Sequence, residues 1–109
     1  MTNIKFYYNA NKIIGFECDG HSGYAESGSD IVCASISALT GACHLGLTEV
    51  LGLNVDFKRN LKKGYFSLIL NKTEDIEKAQ VLFKTLMLSI TEIEKEYSEF
   101  VKIENRREK

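Results

Sequence analysis

The stretch Asp19-Gly20-His21-Ser22-Gly23-Tyr24-Ala25-Glu26-Ser27-Gly28-Ser29-Asp30, followed by Ile31-Val32-Cys33, decides the fold, because the period of the apolar residues changes across it. Before it, Ile4, Phe6 and Tyr8 alternate, and Ile14, Phe16 and Cys18 alternate again after an Asn9-Ala10-Asn11-Lys12 turn signal. A period of two lines one face of a strand, so this part predicts a β-hairpin. After it, Val32, Ile36, Leu39, Ala42, Cys43, Leu47, Val50 and Leu51 recur at helical spacing, with Gly52 as a stop signal. That pattern predicts a well-buried helix from Ile31 to about Leu51. The polar, glycine-bearing loop between them therefore puts a histidine at a strand end and a cysteine at a helix start.

Further along, Leu53, Val55 and Phe57 alternate before an Asn60 to Gly64 turn, and Tyr65 to Leu70 supplies the returning strand of a second hairpin. Thr73, with Glu74 and Asp75 behind it, then reads as the N-cap of a long amphipathic helix carrying Ile76, Ala79, Phe83, Leu86, Ile90, Ile93, Tyr97 and Phe100. At about 28 residues it would run for roughly 42 Å. Its distal half would either cross its own sheet or add a dimer contact. The charged stretch Glu104 to Lys109 is expected to fray. The order ββαββα predicts a compact two-layer α/β (α+β) domain over 1–109, with one antiparallel or mixed four-stranded sheet packed by two helices.

A length of 109 residues suits one domain, and 44% hydrophobic with 27% charged residues is the balance of an ordinary folded protein. No apolar run is read as approaching the ~20 residues of a bilayer span, so membrane insertion is not expected. Met1-Thr2-Asn3-Ile4-Lys5 lacks the features of a secretory signal, so a cytoplasmic location with reduced thiols is expected. A net charge of −1 gives no global footprint for nucleic acid. Lys58, Arg59, Lys62 and Lys63 read as a solvated hairpin tip, and direct nucleic-acid binding is not expected.

With Asp30 as N-cap, Cys33 sits in the first helical turn, where the positive end of the helix dipole favours a thiolate. Unpaired N–H groups of that turn could receive a carbonyl oxyanion, and His21 could take the thiol proton and return it to a leaving amine. The same residues also allow a plainer reading, with Cys33 a buried small apolar group and His21 a strand end. His44 returns to nearly the same helix face but about 16 Å along the axis, too far to act as the base. Cys18-x-x-His21 with Cys33 lacks the paired Cys-x-x-Cys spacing of zinc sites, so neither metal nor other cofactor is expected. Ser37, one turn after Cys33, either supports the site or bonds back to its own helix. Asp30 caps the helix, orients His21, or does both.

The runs Gly20-His21-Ser22-Gly23-Tyr24 and Gly28-Ser29-Asp30-Ile31-Val32-Cys33-Ala34-Ser35-Ile36-Ser37-Ala38-Leu39 closely resemble the ribosomal-processing cysteine protease family, which has Gly-His near the end of the first hairpin and Asp-Ile-Val-Cys-Ala opening the first helix. The resemblance implies a small cytoplasmic homodimeric cysteine endopeptidase. Its substrate would be the short N-terminal extension of large-subunit ribosomal protein twenty-seven, cut after an aromatic residue by thiolate attack through an acyl-enzyme. Carried onto this chain, it makes Cys33 the nucleophile and His21 the general base, with Asp30, Ser37 and Gly20 in support. Ser22, Gly23, Tyr24 and Gly28 fall in a loop that must order around an extended peptide. Ser22 stands where alanine is frequent, and Ser35 where alanine or glycine is. Tyr24 and the apolar edge of the second hairpin are candidates for the wall that meets the aromatic side chain. Two other readings use the same features: a non-catalytic ribosome- or RNA-associated dimeric binding module, and a redox-sensing thiol protein that needs no peptide groove.

Overall fold

The computed structural model describes residues 1–26 and 28–106, the last two as backbone only. Both hairpins are present. Strands β1 (Thr2–Asn9) and β2 (Lys12–Asp19) pair antiparallel, as do β3 (Val55–Asn60) and β4 (Tyr65–Leu70), and β4 joins the two by pairing antiparallel with β2. Helix α1 (Ile31–Leu45) continues through a π-helical turn at Gly46–Val50 and stops at Gly52, whose φ of +68° is the left-handed conformation expected of a terminating glycine. Helix α2 spans Ile76–Glu96.

The sheet has five strands, one more than the alternation predicts. Strand β5 (Val101–Arg106) runs parallel to β1, so the sheet is mixed and its order is β3-β4-β2-β1-β5. Helix α2 is correspondingly shorter than expected. Its cap is Asp75 rather than Thr73, accepting from the N–H groups of Glu77 at 3.0 Å and Lys78 at 3.3 Å. At its other end Tyr97 leaves helical geometry (φ −124°, ψ 43°), and its carbonyl accepts from Phe100 at 2.8 Å and Val101 at 3.1 Å. With 21 residues the helix is about 32 Å long rather than roughly 42 Å. Glu104 belongs to β5 rather than to a frayed tail, and 107–109 lie outside the described residues.

A bulge in the first hairpin sets which face is buried. Tyr7 pairs with Gly15 and Tyr8 with Ile13, so Ile14 is the extra residue, and Ile13 rather than Ile14 enters the core. Gln80 of α2 closes the bulge, accepting from Ile13 N at 2.9 Å and donating to Ile13 O at 2.8 Å. Around it Ile4, Phe6, Phe16, Leu68, Phe83 and Ile90 are fully buried. The 20 residues Ile31–Val50 are, by length and composition alone, apolar enough to cross a membrane, which the sequence reading overlooked. In the fold Val32, Ile36, Cys43 and Leu47 are instead buried in the same core as the sheet.

Candidate functional site

Asp30 ends the loop with its backbone extended (φ −83°, ψ 100°), the conformation an N-cap requires. Its Oδ1 accepts the N–H groups of Val32 at 3.0 Å and Cys33 at 2.9 Å, and its carbonyl accepts that of Ala34 at 3.0 Å. These first-turn donors, expected to be open to an oxyanion, are therefore already paired. Its other oxygen folds the loop back on the helix, accepting from Ser22 Oγ and from the N–H groups of Tyr24 at 3.1 Å and Ala25 at 3.3 Å. Burial acts to raise the Asp30 carboxyl. Hydrogen bonds from Ser22 and from the backbones of Cys33, Ala25 and Val32 outweigh it and lower the group to about 2. The sulfur of Cys33, half-buried, lies 3.3 Å from Ser22 N and 3.4 Å from Ser22 Oγ.

His21 is exposed and takes its orientation from the second hairpin. Nε2 lies 3.1 Å from the carbonyl oxygen of Lys62. A carbonyl only accepts, so Nε2 carries the proton of that bond and Nδ1 holds the lone pair of the neutral ring. The backbone beside it is joined by a Gly20 N to Gly64 O bond of 3.1 Å, and Thr2 Oγ1 donates to Gly20 O at 3.0 Å. Gly64 has φ +64°, and a Cβ there would sit 3.0 Å from the Gly20 carbonyl carbon and 3.1 Å from His21 Nδ1 and Cε1. The turn of the basic hairpin is thus the seat of the imidazole. Sequence reading missed this because a backbone carbonyl has no side-chain signature; Gly64 alone marked the position.

His21 and Cys33 line one cleft of about 310 Å³, walled by Ser37 and His44 of α1 and by Phe57 and Phe66 of the second hairpin. His44 stacks on Phe57 with ring centroids 4.4 Å apart, so it is part of the wall. Tyr24 is not among the cleft residues. Its ring stands edge-on to Tyr97 at 5.5 Å and Phe100 at 5.3 Å, pinning the loop to the α2–β5 turn. Gly23 (φ +76°) and Gly28 (φ +91°) bend the loop between these anchors. Cys18 also borders the cleft but is buried, and burial together with the charge of Glu17 pushes its thiol up to about 12. Cys43 is pushed up to about 12 by burial. Among the described residues no three His, Cys, Asp or Glu side chains are grouped to hold a metal ion. What the arrangement offers is a thiol and an imidazole on opposite supports, facing an apolar cleft open to solvent.

The family model for the cysteine protease Prp matches residues 1–102. The ribosomal processing cysteine protease Prp of Bacillus subtilis is 29% identical over 94 residues, 84% of each chain. A crystal structure of an essential ribosomal processing protease Prp from S. aureus, in complex with a covalently linked product peptide, has a TM-score of 0.89 at 26% identity, over 97% of this chain and 100% of that one. The S. aureus protease in complex with a substrate peptide has a TM-score of 0.84 at 25% identity, with the same coverage.

Proposed function

This chain belongs to the Prp family of cysteine proteases, and from that premise we propose that it removes a short N-terminal extension from large-subunit ribosomal protein twenty-seven by way of Cys33 and His21. The observation that carries the reading is that both residues line a single cleft, whose walls combine the apolar side chains of Ile36, Leu45, Phe57 and Phe66 with the polar ones of Ser37, His44 and Arg59. The thiol proton passes to His21 Nδ1, and the sulfur attacks the scissile carbonyl carbon to give a tetrahedral oxyanion. As that intermediate collapses, His21 gives the proton to the departing amine and a thioester remains on Cys33. Water, deprotonated by His21, then cleaves the thioester and frees the thiol. Phe57 and Phe66 offer the surface on which an aromatic side chain of the substrate packs. The three cysteines are free, as suits a reducing cytoplasm. A homodimer completes the reading, supported by the exposed apolar side chains of Leu45, Val50, Val81 and Leu88, which a second copy would cover.

The test is to incubate the protein with a peptide copying the extension and the residues after it, and to weigh the products. One cut after an aromatic residue is expected; an intact peptide, with protein shown to be folded and reduced, refutes the proposal. Gly64→Ala provides a second check on the seat of His21. Its strained φ and its approach to the ring should lower kcat roughly tenfold, while the fold loses only about 1 kcal/mol. A steady-state assay beside a thermal melt measures both.

A further inference from the structure

Asp30 receives more donors than it can seat. Oδ1 accepts from Val32 N and Cys33 N, and Oδ2 from Ser22 Oγ, Tyr24 N and Ala25 N. A carboxylate offers about four lone-pair sites to these five groups. The four N–H groups are fixed by the backbone. The hydroxyl of Ser22 alone turns about a single bond, and it is buried, 2% exposed, directly beside the sulfur of Cys33.

As the structure stands, the hydroxyl proton lies toward Asp30, so Ser22 Oγ presents only lone pairs to the sulfur and accepts the thiol proton of Cys33 at 3.4 Å. Once that proton has gone to His21, lone pairs would face an anion, and the arrangement becomes repulsive. Turning the hydroxyl toward the sulfur removes the repulsion. Asp30 Oδ2 then keeps Tyr24 N and Ala25 N, so nothing is left unpaired. We propose that Ser22 is a positioning residue for the nucleophile: its hydroxyl swings from Asp30 to Cys33 Sγ as the thiol ionises, and with Ser22 N–H it holds the thiolate between two donors. This rests on the protease reading above. No atom other than the thiol proton changes owner, because Ser22 keeps its own.

Iodoacetamide alkylation without substrate tests it. Cys18 and Cys43 are buried and held at about 12, so the reaction reports Cys33. The other titratable groups lining the cleft, His21, Cys18, His44, Arg59 and Tyr65, are the same in wild type and variant. Between about pH 5 and 9, the rate profile of Ser22→Ala should lie about one pH unit to the alkaline side of wild type, the loss of one hydrogen bond to a charged group. In peptide cleavage kcat should fall about tenfold with KM unchanged. An unmoved profile overturns the proposal. A shift to the acid side also overturns it, assigning the hydroxyl to retention of the thiol proton. If wild type leaves the peptide intact the protease reading fails, whereas the alkylation profile still decides the role of Ser22.

Discussion

Cys33→Ala ends peptide cleavage, and His21→Ala lowers kcat by about a hundred- to ten-thousandfold. The two losses differ because the residues do different things. Without sulfur no thioester forms, and no other reachable thiol replaces it, since Cys18 and Cys43 are buried with protons held to about 12. Without the imidazole the thiol remains and loses only its acceptor and the donor for the leaving amine. The double variant should therefore be no worse than Cys33→Ala alone, the non-additivity of groups acting in one step. Neither change should move the melting temperature far, because Cys33 is half-buried and His21 exposed. Product masses from the three variants, measured beside their thermal melts, check this. A cut by Cys33→Ala at the wild-type bond would remove the thiol from the mechanism.

Asp30 is the position where substitution should damage both fold and activity. Asp30→Ala removes the α1 cap and strands the donors of Ser22, Tyr24, Ala25, Val32 and Cys33. The expected cost is about 2 to 4 kcal/mol, roughly 10 to 20 °C in melting temperature for a domain of this size. Asp30→Asn separates the two jobs. Asparagine caps helices well, so Oδ1 keeps Val32 and Cys33. Its amide nitrogen replaces the oxygen that accepts from the loop and sets donor against donor at Tyr24 and Ala25. This variant should retain most of the stability and lose most of the cleavage. A pH titration adds the sign. The carboxyl is lowered from 3.8 to about 2, so its contribution is complete above pH ~4 and disappears as pH falls toward 2. Wild type should lose stability across that window by more than Asp30→Asn does, as melting temperatures between pH 2 and 5 would show.

The local part of this architecture is legible in the chain. Alternation gave the two hairpins, helical spacing gave α1 and most of α2, and the Asp30 cap followed from a polar residue placed before an apolar stripe. The misses share a cause, which is that the deciding contact is remote. Tyr97 and Phe100 continue the stripe of α2 by spacing, yet they turn the chain because β1 accepts β5, with Thr2 N donating to Phe100 O at 2.9 Å. Ile14 looked like a core residue because a bulge cannot be counted from a period of two. At the site, His21 and Cys33 were readable as residue types in a suggestive order. The carbonyl of Lys62 that aims the ring was not, because any residue carries one. The Asp30 cap was legible, but its consequence was not: once Asp30 holds the N–H groups of Val32 and Cys33, they are not open to an oxyanion.

Tyr24 leans on Tyr97 and Phe100, and those residues sit at the entry to the strand that lies beside β1. On a ribosome, His21 and Cys33 emerge early, while the rings that seat their loop emerge only after all of α2. A nascent chain thus carries both chemical groups before it has the support that arranges them. Asp30 can gather the loop as soon as α1 has formed, but the seat for the Tyr24 ring is complete only when the chain has turned into its closing strand.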